Sequence, residues 1–592
     1  MKLSTYVINF LAEKGVSQVF GMSGGAAVHL LDSVSKNDKI DFVCSQHEQS
    51  AAISADGYAR TTGRLGVAIT TSGPGATNLL TGTCCSFYDS VPTLMLTGQV
   101  ASHRLKGQLD IRQRGFQETD VVSIFGSVTK YAVQLEKPED IRYCLEKAYY
   151  MAFEGRPGSV LVDIPDDFQR ADIDPDKLHG FTPDLTTQMA AQVLEGQISS
   201  VMKAFFGAKR PVVVLGGGLK TPDCGFDLPS LVTALGAPVV TSWAAVDLLP
   251  HDHPLKMGSF GVYAPRLGNY VVQNADFLLC LGTRLSQNLT GGILPSFARE
   301  AEIAMIDISA GEMEKFDGFG INIAHRVQAR LSDALPHIQA RAEKSGPCKT
   351  PDWQAVLEKW QSRFGPEIYD PDDKDGCLNA YSFIEKLSGY VPAEETIFAD
   401  TGGNLTWTCN AFQFKPGQRL HSAWNNTPMG YSLPAAIGAA AAEPDKPVTC
   451  LIGDGGLMIC LAELATVVKH RMKIRTFLFN NHGHGIQKQT LETWLGSNYV
   501  GVHEPSGLAF TDFAAVANSM GLKTVTLNNK DRLEADLEEI FAYEGPVFVN
   551  VEINPDQRLF PVLKFGAALE DQLPALDQSD IEEHMVIKPF SM

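Results

Sequence analysis

Asp454 and Asn481 are the residues whose types and placement first point to chemistry. Asp454 sits in Gly453-Asp454-Gly455, directly after the apolar run Val448–Ile452, and Asn481 follows a second apolar run, Ile474–Phe479. Between them Leu461, Leu464, Ala465 and Val468 recur at helical spacing, which puts one apolar stripe against a sheet. The pattern reads as strand, glycine turn, helix and strand, and a right-handed crossover makes the two strands parallel. Carboxylate and amide oxygen then meet at the C-terminal ends of the strands, where open α/β sheets bind ligands. One carboxylate, one neutral oxygen donor and a glycine turn at a helix start suit Mg²⁺ carrying a diphosphate. Gly-Asp-Gly alone would be an ordinary turn; the strand-terminal asparagines at this spacing make a metal site geometrically possible.

The elements that must position these residues alternate helix and strand throughout. Residues 1–172 suggest strands at Asp41–Ser45, Leu65–Thr71, Pro92–Leu96 and Ser159–Ile164, with a helix from Glu48 to Arg60. A linker to about residue 190 leads into a second βα block, 190–340, which includes Pro211–Gly218. After a polar stretch, Lys344–Asp375, with a short helix around Trp353–Phe364, come a third block, 376–555, and a tail, 556–592. The fold class is α/β with three doubly wound parallel sheets, and the first and third blocks look like two copies of one βα plan.

A chain of 592 residues is too long for one core, and its 44% apolar and 20% charged content is that of a soluble globular protein. The net charge of −19, spread along the chain, argues against nucleic acid or an anionic membrane as the main partner. No apolar run approaches the ~18 residues of a membrane span, and the amphipathic N-terminus carries no export signal. The eleven cysteines form no CxxC pair, and several (Cys280, Cys450, Cys460) lie in apolar runs. They read as reduced core residues of a cytoplasmic protein.

Glu48 opens a helix rich in Ala, Ser and Gly just after a strand. A glutamate in a first helical turn is usually a solvated partner of the helix dipole. Here the small residues leave room for a planar ring, with the glycine-rich strand end Ser72-Gly73-Pro74-Gly75-Ala76-Thr77-Asn78 nearby. Taken together, these stretches resemble the acetolactate synthase branch of thiamine diphosphate enzymes. The resemblance covers nearly the whole chain, in that family's order of pyrimidine-binding, central and diphosphate-binding domains. Val19-Phe20-Gly21-Met22-Ser23-Gly24-Gly25-Ala26 is similar to the family's VFGYPGGA loop, Thr71–Asn78 to its TSGPGATN, and Phe116-Gln117-Glu118 to its FQE segment.

The resemblance implies that Glu48 is the activating glutamate, buried beside the aminopyrimidine, where burial raises its pKa and helps it hold a shared proton. It implies Gly25, Phe116 and Gln117 around the reaction space, and Ser72, Gly73, Pro74, Asn78, Gly453, Gly455, Gly456 and Ile486 against the cofactor. Gly402, Gly403 and Asn404 fall where diphosphate oxygens bind, and Met429 where a side chain wedges beneath the cofactor. Asp454, Asn481 and the Gly483 carbonyl fall on the Mg²⁺ ligands. In the central block Gly216, Gly217, Gly218, Gly282, Arg284, Asp307 and Asp333 resemble places where the family holds FAD.

Two departures bear on substrate. Where the family has an arginine that grips the second 2-oxo acid, in RFDDRVTG, this chain has Asn288; where it has an acceptor-selecting tryptophan, the chain has Thr490. Asn cannot reproduce a bidentate arginine fork. The expected reaction is therefore decarboxylation of pyruvate or a similar 2-oxo acid and transfer of its acyl anion to a carbonyl acceptor such as a keto sugar or aldehyde. His482, His484, Asn288 and Thr490 are candidates for the acceptor pocket. The alternative is acetolactate synthase itself, with pyruvate as acceptor. A flavin- or nicotinamide-dependent oxidoreductase would leave Glu48 and Asp454 unexplained. The resemblance further implies a homodimer or homotetramer with active sites between chains, and the tail reads either as a lid or as a surface strap or subunit contact.

Overall fold

The computed structural model describes residues 1–183, 191–221, 224–365, 376–564 and 566–590. Parts of both expected linkers, 184–190 and 366–375, and Phe565 of the tail lie outside these residues. Within them eighteen strands form three six-stranded sheets, each parallel throughout, and two short tail strands, Val562–Leu563 and Gln572–Leu573, pair antiparallel. The first holds β1 (Gln18–Gly21), β2 (Asp41–Cys44), β3 (Gly66–Thr70), β4 (Thr93–Gln99), β5 (Tyr131–Gln134) and β6 (Ser159–Pro165). The second holds β7 (Pro211–Leu215), β8 (Val239–Thr241), β9 (Lys256–Ser259), β10 (Phe277–Leu281), β11 (Glu302–Asp307) and β12 (Ile323–Gln328). The third holds β13 (Thr396–Ala399), β14 (Arg419–His421), β15 (Val448–Gly453), β16 (Ile474–Asn480), β17 (Lys523–Leu527) and β18 (Val547–Glu552).

The first sheet runs β2-β1-β3-β4-β6-β5, and the third, β14-β13-β15-β16-β18-β17, repeats that order. The second runs β12-β11-β10-β7-β8-β9, so its strand order reverses between β7 and β10, the usual crevice of such sheets. Central strands such as β4, β6 and β16 are buried at every residue, as helices on both faces require.

The expected glycine turn at 453–455 is absent. Strand β15 runs to Gly453 and the helix Asp454–Cys460 begins on Asp454 itself, with Gly455 and Gly456 in its first turn. The single helix expected beyond it is divided, with its second part at Glu463–Lys469. Glycine is used here for close approach rather than for a reverse turn.

The first and third sheets share a core through the helices Glu48–Thr62 and Ser432–Ala442. A side chain at Gly57 would lie 2.1 Å from the Ala435 carbonyl oxygen, and one at Gly438 would lie 1.9 Å from that of Ser54. The Ser54 hydroxyl donates to the Pro434 carbonyl across the contact, at 2.8 Å. Beside it, Arg60 pairs with Asp56 (2.6 Å) and Asp89 (2.8 Å), and the Tyr431 hydroxyl donates to Asp56 at 2.5 Å.

The tail leaves the third sheet at Leu559, whose backbone is held at both ends by the Gln489 amide, and packs on the second. Leu569, Ile581, Met585 and Ile587 join the core of Trp353, Trp360 and Phe364.

Alanine normally exceeds glycine in helix propensity by about 1 kcal/mol. Gly438→Ala should nevertheless lower the thermal midpoint by roughly 5 °C or more, because its Cβ would meet a backbone oxygen. Gly196→Ala, on a helix where a Cβ would meet nothing, is the control and should leave the midpoint unchanged or slightly raised.

Candidate functional site

Glu48 is the first residue of its helix, preceded by the N-cap His47, whose ring accepts from the Gln49 amide. Glu48 Oε2 accepts from Asn78 Nδ2 at 2.9 Å, so the glycine-rich segment after β3 reaches the carboxylate as the sequence suggests. A side chain at Gly75 would lie 3.6 Å from Glu48 Oε1. Gly73, at φ +61°, backs onto Gln117, and a Cβ there would sit 3.0 Å from Gln117 Cβ. The Thr71 hydroxyl accepts from the Ala26 amide, which draws the Gly24-Gly25 loop to the same place. Ser72 is buried, while Pro74 and Gly25 are exposed. Two expectations are not met within one chain. Glu48 is half-buried rather than buried, and Phe116 is 85% exposed.

Asp454 is 2% exposed. Its Oδ1 accepts from the Gly455 amide at 2.6 Å and its Oδ2 from the Gly483 amide at 3.1 Å. Burial pushes its pKa up to about 7 against those hydrogen bonds. One terminal atom of the Asn481 amide lies 2.8 Å from the Gly483 carbonyl oxygen and 3.2 Å from Asp454 Oδ2. With the amide oxygen on that side, three oxygen acceptors converge on one point; with the nitrogen there, its two N–H groups satisfy the others. A carboxylate, an amide oxygen and a backbone carbonyl form a donor set that fits a hard divalent cation.

Around it, a side chain at Gly455 would meet His484 Nε2 at 2.5 Å and Met429 Cε at 2.8 Å. Asn404 Nδ2 donates to the Asp400 and Leu451 carbonyls, and its side-chain oxygen faces Gly402 and Gly453. Gly403 packs under the Trp407 ring, and Ile486 lies against the neighbouring core. The His482 ring bonds Glu552 at 2.9 Å, which raises its pKa, whereas burial lowers that of His484.

Asp400 escaped the sequence reading. It ends β13 as Asp454 follows β15, and is fully buried. Its carboxylate accepts from the Gly430 amide (3.0 Å), the Ser432 amide (2.9 Å) and the Ser432 hydroxyl (3.3 Å), fixing the segment that carries Met429. Burial pushes its pKa up to about 6. The signal available was an acid at the C-terminal end of a parallel strand.

The second sheet offers a cavity of about 260 Å³ at the reversal between β7 and β10. Gly217, Gly218, Gly282, Arg284 and Asp307 line it, with Asn288, Arg60, Asp89, Arg156 and Trp424. Gly216 packs against the Gly282 carbonyl instead of facing the cavity. Burial raises the Asp307 pKa. Glu312 holds the rim by pairing with Arg284 (2.7 Å) and Arg156 (3.0 Å).

Asp333 is a correction. It is exposed in the first turn of the helix Leu331–Ser345, outside the cavity, and Arg330 and Leu331 occupy the position expected of it. Within one chain the acceptor candidates do not share a single cavity. Asn288 lines the central cavity, His482, His484 and Thr490 are not among its lining residues, and the Thr490 hydroxyl donates to the Ile486 carbonyl of its own helix.

Comparison with known proteins agrees with this geometry. Residues 1–124 match the N-terminal TPP binding domain of thiamine pyrophosphate enzymes, 198–334 the central domain, and 400–551 the C-terminal TPP binding domain. The acetolactate synthase isozyme 1 large subunit of Escherichia coli (strain K12) is 31% identical over 95% of this chain and 96% of its own length. The chain belongs to the thiamine pyrophosphate enzyme family. An acetolactate synthase large subunit of Lactococcus lactis (30% identical, covering 98% and 97%) and a probable one of Methanocaldococcus jannaschii (31%, covering 96% and 94%) are further relatives. This thiamine pyrophosphate (thiamine diphosphate) enzyme is thus acetolactate synthase-like. The relatives' names favour the reading placed second above over the keto-sugar one. Among the described residues no helix is long and apolar enough to cross a membrane.

Asp400→Asn would turn an amide N–H group toward backbone N–H donors. At pH 5 or below it should cost about 2 kcal/mol or more, read by thermal unfolding. The parent's Asp400 pKa lies above its unfolded value, so the native state binds the extra proton and this contribution to stability falls as pH rises from about 4 to about 6. The deficit of the variant should therefore shrink over that window, by about 3 kcal/mol at most.

Proposed function

We propose that the chain is a carbon–carbon bond-forming enzyme that decarboxylates pyruvate or a similar 2-oxo acid and transfers the two-carbon unit to a carbonyl acceptor. The observation that carries this reading is the convergence of Asp454 Oδ2, the Asn481 amide and the Gly483 carbonyl at the ends of β15 and β16. These groups would hold Mg²⁺, and with it a diphosphate. Bound thiamine diphosphate would supply a carbon that serves as an acyl-anion equivalent. Glu48, oriented by Asn78, would hold or return a proton at a ring nitrogen of the aminopyrimidine. Met429, fixed through Asp400, would support the cofactor, and Gly455 leaves the space that Met429 and His484 share.

For the acceptor, the first reading is pyruvate itself, giving acetolactate, and the relatives' names support it. A second reading, a neutral hydroxylated carbonyl compound, is favoured by Asn288 and Thr490, which remove an arginine fork and an indole from acceptor recognition. The central cavity would take FAD, with Gly217, Gly218 and Gly282 allowing close approach and Asp307 and Arg284 at its polar wall. We take the three sheets as cores of domains spanning 1–172, 190–340 and 376–555. A second copy of the chain would cover Glu48 and Phe116; Met458, Ile459, Trp494, Leu495 and Val500 are exposed apolar residues suited to such a contact. A chain with eleven cysteines and no CxxC pair suits the cytoplasm.

Glu48→Gln should retain thiamine diphosphate binding and lose carbon dioxide release from pyruvate by at least about 100-fold; near-parent turnover would sink the assignment. Supplying pyruvate alone and then with a panel of aldehydes and keto sugars, with products identified by NMR, decides the acceptor. Rapid acetolactate formation from pyruvate alone supports the first reading. Carbon dioxide release that accelerates only with a second carbonyl compound supports the other.

A further inference from the structure

Glu463 is a buried carboxylate that the chemistry above does not use. It is 1% exposed, and among the described residues no cation pairs with it. Its Oε1 accepts from the Gln46 amide at 2.9 Å, across a sequence separation of 417 residues, and its Oε2 accepts from the Thr466 hydroxyl at 2.8 Å. The His47 amide and the Ser50 hydroxyl lie near enough to favour its ionised form. Gln46, His47 and Ser50 bracket Glu48 on both sides. The carboxylate thus sits at the positive end of the Glu48–Thr62 helix and satisfies N–H groups that a helix start leaves without partners.

A buried carboxylate without a cation is costly, and burial raises the pKa of this one. A neutral acceptor could have tied the two sheets together at lower cost. What the charge adds is orientation of the helix start that presents Glu48. Glu463 is itself held firmly, because its helix directly follows Asp454–Cys460, which begins on the metal-binding carboxylate.

We propose that Glu463 is a positioning residue for Glu48: it clamps the backbone on either side and so fixes the Glu48 carboxylate in its bond with Asn78. This rests on the reading of Glu48 as the activating acid. Glu48 itself touches Asn78 through one oxygen only, so the direction of the other depends on where the helix start lies. Displacement of such a group by about 1 Å is enough to cost on the order of 100-fold in rate.

The test uses full-length protein loaded with thiamine diphosphate and Mg²⁺, comparing the parent with Glu463→Gln, Glu463→Ala and Glu48→Gln. Four quantities are read: exchange of the thiazolium C2 proton of the bound cofactor by NMR, carbon dioxide release from pyruvate, cofactor affinity and thermal midpoint. Glu463→Ala should slow C2-proton exchange and kcat together, by about 100-fold. Glu463→Gln, which keeps an oxygen for the Gln46 amide, should slow both by about tenfold. Cofactor affinity should stay within about threefold in both, since the diphosphate end is untouched. Parent-like exchange and kcat in Glu463→Gln and Glu463→Ala, with only the midpoint lowered, would overturn the proposal and leave Glu463 as an inter-sheet tie. If Glu463→Ala does not fold, Glu463→Gln decides alone. Parent-rate exchange in Glu48→Gln would instead overturn the role given to Glu48.

Discussion

The helices Glu48–Thr62 and Ser432–Ala442 meet at backbone distance because Gly57 and Gly438 have no side chains, and each lies over a carbonyl of the other helix. The contact is reciprocal, as expected where equivalent elements of two identically ordered sheets face each other. It brings together the third-sheet segment that contains Met429 and the first-sheet helix that starts with Glu48. The polar groups alongside are buried and interlocked: Asp56 receives Arg60, Tyr431 and the Ser86 hydroxyl, while Asp89 receives Arg60 and the Trp424 and Asn425 amides. Removing one partner of such a network costs about 3–5 kcal/mol, because it leaves a buried charge uncompensated. Its value lies less in net stability than in allowing one relative placement of the two sheets.

Both halves of the candidate site use the ends of parallel strands, but in different ways. In the first sheet, strand β3 gives way to Ser72-Gly73-Pro74, and glycine lets backbone and small side chains approach Glu48. In the third, strands β13 and β15 each end beside an aspartate, one binding backbone amides and the other facing further oxygen groups. Because β15 passes straight into a helix, the Asp454 carboxylate lies among N–H groups while its Oδ2 still faces Asn481 and the Gly483 carbonyl. Those N–H groups favour the ionised acid, whereas burial pushes its pKa toward neutrality.

Much of this was legible in the residues. Apolar runs of five to seven residues ending in glycine, acid or amide identify buried parallel strands, and their termini identify Asp454, Asn481 and Ser72. Glu48 was legible because small residues fill its helix and the glycine-rich strand end Ser72–Asn78 stands near it. Asp333 misled because an acid in the first turn of a helix after a strand says nothing about which face of that helix it occupies. Phe116 was legible as part of a motif, yet its exposure depends on what covers it. Asp400 and Glu463 left weaker traces: one is an acid at a strand end just before the Gly402-Gly403-Asn404 segment that drew the attention, and the other sits in an ordinary amphipathic stretch. Both act on backbone groups remote in sequence, which periodicity cannot register.

The loop that carries Phe116 is not loose despite its position. The Glu118 carboxylate accepts from the Lys106, Arg114 and Gly115 amides at 2.6, 2.8 and 3.0 Å, and those bonds hold its pKa below the usual range in spite of partial burial. A surface segment tied in this way has already lost most of its conformational freedom. Whatever docks on the phenyl ring therefore gains its contact area with little further ordering entropy, as a preorganised surface does and a disordered one does not.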